Sequence, residues 1–258
     1  MLEKLDLDRR LDKADYRHRL PLLQARLLQL QQACWRANIP SVLVFEGWDG
    51  AGKGSSIRKL TERLEPRGYR LSYLTDRQRT HEKRLPWMRR FWLEIPHYGQ
   101  MTIFHRSWNR KAILDRANGR LSELEWHRVF RDILDFERSL SDDGYVFIKC
   151  FLHISKKERR KRYKAMEKDP ATSWRITRRS WQHHRRYEEL VPLVEWMLER
   201  TETAWAPWRF IEANDRRWAR ISVFETVIRR LEEALSAAGN ELPEIEDTDT
   251  AASGGEGT

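Results

Sequence analysis

The sequence predicts an α/β fold of three layers: a parallel sheet of about five strands with helices on both faces, crowned by a basic helical lid. Three observations carry this reading. Short apolar runs alternate with helix-length segments along most of the chain. The stretch "VFEGWDGAGKGSS" (44–56) joins the first apolar run to a helix through a glycine-rich loop. Residues 155–189 then interrupt the alternation with a segment dominated by bases.

The elements follow in order. Leu20, Leu23, Leu27, Leu30 and Cys34 recur at steps of three and four, one face of an amphipathic helix. This N-terminal helical extension, about 12–38, ends where Pro40 bars continuation. "SVLVF" (41–45) is a short continuous apolar run, the pattern of a strand buried on both faces. "SSIRKLTERLEPRGY" reads as a helix closed by Pro66 and Gly68. Further strands are expected at 69–74, 100–105, 145–152 and 208–213, with helices at 123–139 and 191–199 between them. Residues 1–238 form one domain in this reading, with the lid at about 155–189. Residues 239–258 hold six acids and no bases, and are expected to be a disordered acidic tail.

The 258 residues include 49 Lys and Arg against 39 Asp and Glu, a net charge of +10. Without the tail, 49 bases face 33 acids, a balance of +16. So basic a body suits a polyanion: nucleic acid, a phosphate polymer or an anionic membrane surface. No stretch approaches 18 apolar residues, and the N-terminus lacks the apolar centre of a signal peptide, so neither a membrane span nor a leader is expected. Cys34 and Cys150 lie in apolar stretches without metal-ligand spacing, which fits reduced core cysteines and a cytoplasmic protein.

A strand, a glycine-rich loop and a helix are the context of a phosphate-binding P-loop. Gly47, Gly50 and Gly52 let backbone N–H groups converge on a phosphate, Lys53 supplies charge for the outer phosphates, and the following helix adds its positive end. The usual loop places Ser or Thr directly after the lysine, as a Mg²⁺ ligand. Here Gly54 stands there, and the hydroxyls of Ser55 and Ser56 come late. Either Ser55 or Asp49 must replace that ligand, or the metal is held elsewhere. A carboxylate among phosphate-binding amides needs a cation beside it, so Asp49 is read as the metal ligand.

"IFHRSWNRKAILDR" (103–116) follows a strand, where such enzymes often place an acid that holds Mg²⁺ through water. His105 occupies that position, followed by Arg106, Arg110, Lys111 and Arg116, cations suited to a donor or acceptor phosphate. A structural ion pair is the competing reading for Arg106. Residues 156–164 contain seven bases in nine positions. Such a helix repels itself unless an anion neutralises it, so Arg159, Arg160, Arg162 and Lys164 are expected on a lid closing over phosphates, against the alternative of a solvated face. Arg77, Arg79, Lys83, Arg84, Arg89 and Arg90 suggest a track for a polyanion, with Trp87 and Trp92 as packing residues.

Together these stretches resemble the family-2 polyphosphate kinases, the polyphosphate:nucleotide phosphotransferases. The resemblance runs over about 16–231 and rests on "VFEGWDGAGKGSSI", "RRFW", "IFHRSW", "DFERSLSDDG", "LHISKKERRKRYKAMEKDPATSWRIT" and "ERTETAWAPWRFIEANDRRWARI". It implies a P-loop kinase-like fold and Mg²⁺- or Mn²⁺-dependent transfer between inorganic polyphosphate and a nucleoside mono- or diphosphate, AMP to ADP above all. It implies catalytic roles for Lys53, Asp49 and Arg106, with Asp49 also the metal ligand. Beside this resemblance, the loop and the basic stretches themselves suggest phosphate binding by Gly47, Gly50, Gly52, Gly54, Ser55, Arg116, Arg159, Arg160, Arg162 and Lys164. Homo-oligomers are implied as well, and neither membrane nor nucleic acid is expected as a partner. Gly54 is ordinary within that family, whereas His105 stands where it usually has Asp, and Asn109, Arg110 and Lys111 also depart from its pattern. Two other readings compete: an ATP-dependent nucleoside-monophosphate kinase of the thymidylate-kinase type, and a non-catalytic homologue that binds polyphosphate or nucleic acid.

Overall fold

A computed structural model describes residues 1–73 and 85–244. Five parallel strands form one sheet in the order β2-β3-β1-β4-β5. They are β1 (Ser41–Gly47), β2 (Tyr69–Tyr73), β3 (Met101–His105), β4 (Val146–His153) and β5 (Trp208–Glu212). All five lie within a residue or two of the runs the sequence marks. The central strand is the most apolar: Val42, Leu43, Val44 and Phe45 are at most 1% exposed, because β3 and β4 flank β1 and helices cover both of its faces. Since β1 sits between β3 and β4, successive crossovers leave to opposite sides of it, and a crevice opens at the carboxyl ends of the strands.

On one face pack α1 (Lys13–Arg36), α2 (Lys53–Thr61) and α9 (Arg216–Ala237). On the other lie α4 (Trp108–Ala117), α5 (Glu123–Asp142) and α8 (Tyr187–Arg200), with the short α3 (Arg89–Trp92) beside them. Asp12 caps α1 by accepting from the N–H groups of Ala14 and Asp15, and its apolar stripe buries Leu20, Leu27, Leu30 and Cys34. Ser122 and Glu125 form a capping box that starts α5. The helix expected at 191–199 starts earlier, at Tyr187, where Glu188 and Glu189 favour a helix N-terminus. The basic excursion folds as α6 (Lys156–Lys168), a 3-10 turn (Ser173–Arg175) and α7 (Arg178–Arg185). α9 stops at Ala237, and Gly239 follows in a left-handed turn (φ +73°). Residues 245–258, most of the expected acidic tail, lie outside the described residues, as do Arg77, Arg79, Lys83 and Arg84. Trp87 and Trp92 are packing residues: the Trp87 indole donates to Asp132, and Trp92 meets Phe136 edge-on at 4.7 Å.

Two buried polar contacts hold the elements that carry the crevice. Lys149 of β4 donates to Glu137 of α5 at 2.7 Å and to the Thr201 carbonyl at 2.7 Å, and both charged side chains are 0% exposed. Glu137 also accepts from the Trp108 indole at 3.0 Å, which fixes the first residue of α4. Burial raises the Glu137 carboxyl and lowers the Lys149 ammonium, and their mutual contact opposes both shifts. The second contact ties the glycine-rich loop to β4: the Trp48 indole donates to Nδ1 of His153 at 2.9 Å. Burial pushes His153 down to about 4, against a weaker pull from Glu195.

Two outcomes follow. Lys149→Met leaves the Glu137 carboxylate buried without its counter-charge and lowers unfolding free energy by about 3–5 kcal/mol in denaturant titrations. Adding Glu137→Leu to it recovers part of that loss. His153 is held neutral in the folded chain, while the unfolded chain takes up its proton near the ordinary histidine value of 6.5. Its contribution is therefore complete above that value and is lost as pH falls towards about 4. The slope of stability against pH across this window should flatten in His153→Asn.

Candidate functional site

The loop between β1 and α2 turns on three glycines with positive φ, Gly47 (+122°), Gly50 (+87°) and Gly52 (+105°). Gly47 admits no other residue: a Cβ there would lie 2.1 Å from the Leu152 carbonyl oxygen of β4. The loop can hug the sheet edge only because that side chain is missing. Lys53, the first residue of α2, folds back beneath the loop and donates to the carbonyls of Gly47 at 2.7 Å and Trp48 at 3.0 Å. Burial pushes its ammonium down to about 7; Asp49 opposes this, while Arg106 and Arg110 add to it. Ser55 turns its hydroxyl onto the Gly52 carbonyl at 2.9 Å, and Gly54 sits exposed in the first turn of α2.

The end of β3 meets this loop. His105 pairs in register with Phe45 of β1 and stacks on Tyr73 of β2, ring centroids 5.1 Å apart. Burial, with Lys53 and Arg106 nearby, pushes His105 down to about 3, so the ring is neutral. Arg106 has φ +72°, a left-handed backbone that costs a non-glycine residue on the order of 1 kcal/mol. That turn carries its guanidinium back across the loop to Asp49, at 3.2 Å from Oδ1. Arg110, one turn into α4, donates to the other oxygen, Oδ2, also at 3.2 Å. His183 of α7 approaches the same oxygen at 4.0 Å. Burial alone would raise the Asp49 carboxyl, but Arg110, His183, Lys53 and Arg106 hold it well below the usual carboxylate range. Ser107 caps α4, and its N–H and hydroxyl both donate to Glu46 Oε1, at 2.6 and 2.8 Å.

The basic helix α6 divides its charges between two faces. Arg159, Arg162 and Tyr163 recur at i, i+3 and i+4 and point inward, whereas Lys157, Arg160, Lys161 and Lys164 are exposed. Arg162 donates to Gly50 and Ala51 in the loop (2.9 and 3.1 Å), and to Ala213 and Asn214 after β5 (2.6 and 2.8 Å). Its Nε donates to Glu158 at 2.8 Å, so every donor of the guanidinium is engaged. Arg159, 1% exposed, lies over the Trp48 ring at 5.6 Å and donates through Nε to the Tyr163 hydroxyl. Its Nη1 is buried without a hydrogen-bond partner. A cleft partly open to solvent lies among these groups. Glu46, Asp49, Arg110, Arg159 and His183 line it, opposite an apolar wall that includes Ile113, Leu190, Val194 and Met197.

The fold thus gathers Gly47, Asp49, Gly50, Gly52, Lys53, Gly54, Ser55, Arg106, Arg159 and Arg162 at one place. It places three expected phosphate ligands elsewhere. Arg116 donates to the Leu121 carbonyl and packs on Trp126, and Arg160 and Lys164 face outward from α6. Arg162 is present but committed to four backbone carbonyls, so it serves the shape of the loop. Glu46 and His183 were not legible as site residues, and Arg110 stood out only as one base among several. Its signal was position: it departs from the family pattern where a helix turn brings it level with the loop.

Asp49 was expected to hold Mg²⁺, and the donors do not fit that role. Both of its oxygens are engaged by arginines, the hydroxyl position is Gly54, and the strand-end acid is a neutral histidine. Mg²⁺ is usually held by one or two protein carboxylates, with waters and substrate phosphates completing six oxygens, and here the loop carboxylate, Asp49, is taken up by Arg106 and Arg110. Among the described residues, no three His, Cys, Asp or Glu side chains converge as a metal site.

Comparison with known proteins places the chain in a family. Residues 10–238 match the family model described as polyphosphate kinase 2. The polyphosphate:AMP phosphotransferase of Pseudomonas syringae pv. tomato is 38% identical over 236 residues, 92% of this chain and 47% of that one. The protein of the same name from Pseudomonas aeruginosa is 38% identical over 235 residues, 91% of this chain and 47% of that one. This chain therefore spans about half the length of those two relatives. NDP-polyphosphate phosphotransferase 3 of Ruegeria pomeroyi is 30% identical over 222 residues, 86% of this chain and 73% of that one. Among solved structures, a polyphosphate kinase 2 from Pseudomonas aeruginosa superposes with a TM-score of 0.87 at 37% identity, covering 91% of this chain and 50% of that one. Polyphosphate kinase 2 from Arthrobacter aurescens gives 0.87 at 27% identity, covering 98% and 90%. With the loop, the strand-end arginine and the basic helix assembled as described, the chain belongs to the polyphosphate kinase 2 family.

Proposed function

We propose that this chain moves a phosphoryl group between inorganic polyphosphate and a nucleoside monophosphate, AMP first. The observation that carries the reading is the convergence of cations from four elements around Asp49 and the cleft it lines: Lys53 at the start of α2, Arg106 from the end of β3, Arg110 from α4 and Arg159 from α6. The names of the 38%-identical relatives supply the acceptor class. The thymidylate-kinase-like alternative is set aside, since the family model and the relatives above are polyphosphate enzymes.

In this reading, a phosphate oxygen of the acceptor attacks the terminal phosphorus of polyphosphate in line, and the bond to the next phosphate breaks. The acceptor oxygen is already ionised, so no general base is required. The chain's contribution is charge placed in advance around the transferring group and exclusion of water by α6 and α7. A cytoplasmic setting accords with the two free, buried cysteines, Cys34 and Cys150.

Purified protein, supplied with polyphosphate and Mg²⁺ or Mn²⁺, should convert AMP to ADP. No transfer to AMP, ADP, GMP or GDP would sink the proposal. Lys53→Ala should lower kcat/KM by about 10²–10³-fold at unchanged fold, measured as nucleotide product formed. Arg162→Lys keeps the charge but cannot reach four carbonyls with three donors. Expected are a loss of about 1–3 kcal/mol in denaturant unfolding and faster amide hydrogen exchange across residues 50–52.

A further inference from the structure

We propose that Asp49 acts in this chain as the internal counter-ion of an arginine clamp for phosphate oxygens, and that the loop grips a phosphate chain without a protein-bound divalent ion. The inference rests on the functional reading above, in which polyphosphate is a ligand of this loop.

P-loop kinases commonly hold Mg²⁺ through a hydroxyl after the loop lysine and an acid at the end of the neighbouring strand. Here those positions are Gly54 and His105, and the fold sets them face to face: a Cβ on Gly54 would stand 3.7 Å from His105 Nε2. Neither offers an oxygen. Backbone strain does not enforce the glycine, because Gly54 is outside the left-handed region and a Cβ would make only ordinary contacts. The remaining acids are engaged as well. Each Asp49 oxygen is held at 3.2 Å by a different arginine, and Glu46 Oε1 takes both donors of Ser107.

What surrounds Asp49 suits an anion. Among the described residues, the cations around Asp49 and its cleft, Arg106, Arg110, Lys53 and Arg159, outnumber the carboxylates there, Asp49 and Glu46. A guanidinium carries five donors in a planar fork that matches phosphate oxygens, and the Asp49 contact takes only the Nη2 of Arg106. Arg159 adds a buried Nη1 without a partner on the wall of the same cleft. Asp49 has a definite task in this arrangement: it keeps Arg106 and Arg110 together against their mutual repulsion and aims both before a phosphate arrives. A divalent ion taking part in transfer would then be carried on the oxygens of the substrate phosphates.

The test uses the full chain and two titrations. In the first, a short linear polyphosphate is titrated by calorimetry in excess EDTA and again in Mg²⁺. In the second, Mn²⁺ alone is titrated and its free fraction read by electron paramagnetic resonance. The clamp requires that polyphosphate bind in excess EDTA at least as tightly as in Mg²⁺, since Mg²⁺ on the polymer offsets charge the arginines hold, and that the ligand-free protein show no stoichiometric Mn²⁺ site. Asp49→Asn should bind polyphosphate as tightly as the parent or tighter, because a repelling anion is gone, whereas Arg110→Ala should bind about tenfold more weakly. Binding that appears only with Mg²⁺, or that Asp49→Asn loses while still folded by circular dichroism, overturns the clamp. So does a Mn²⁺ site present in the parent and absent in Asp49→Asn. If Asp49→Asn does not fold, the metal dependence and the Mn²⁺ titration of the parent decide alone. Absence of polyphosphate binding under every condition would overturn the functional reading and the clamp with it, while a Mn²⁺ site at Asp49 leaves that reading standing and removes the clamp.

Discussion

The site depends first on one guanidinium. Arg162 bridges two pieces of chain far apart in sequence, the loop at Gly50 and Ala51 and the segment at Ala213 and Asn214 beyond β5. These are backbone carbonyls at turns, where no ladder or helix provides a partner, and leaving them buried and unpaired would cost about 1–3 kcal/mol each. By serving them together, Arg162 sets the curvature of the loop, fixes α6 above it and defines the height of the cleft. Asn214 adds a second tie from the same segment, accepting from the N–H of Ser155, the residue that caps α6. α6 is thus anchored at its base by the strand-end segment that follows β5.

The charge pattern follows from that anchoring. A helix with so many bases cannot turn all of them to solvent on one side or all of them to the loop. Its period sends Arg159 and Arg162 inward and Arg160, Lys161 and Lys164 outward. The inward pair meets oxygens, aromatic faces and the cleft, and the outward set remains hydrated. On the opposite wall, the left-handed turn at Arg106 stores strain so that a cation can reach back over the loop. Cations from both walls surround a single loop carboxylate, a balance that attracts polyanions and disfavours a cation-binding role for that acid.

Much of this was legible in the sequence. The three central strands were marked by apolar runs, since strands covered on both faces have little freedom to be polar, whereas the edge strand β2 leaves Leu71 and Tyr73 exposed. The loop was marked by its glycines and lysine, since close approach of backbone to phosphate tolerates few alternatives. Less legible was the partition of the bases. Arg116, Arg160 and Lys164 looked equivalent to Arg159 and Arg162 in a run of charge, and only the rotation of each helix against the sheet separates them. Arg110 and His183 gained their significance from distance to Asp49, across gaps of 61 and 134 positions.

Taken by itself, the sequence determined the architecture, the position of the loop and the demand for an anionic partner, because these arise from periodicity, composition and local backbone geometry. Tertiary structure alone decided what surrounds Asp49. A carboxylate in a phosphate loop reads as a metal ligand until its neighbours are known. Folding placed Arg106 and Arg110 on its two oxygens and set Gly54 opposite His105. Which cation a carboxylate holds is a matter of a few ångströms across separate elements, and no local pattern of residues encodes that distance.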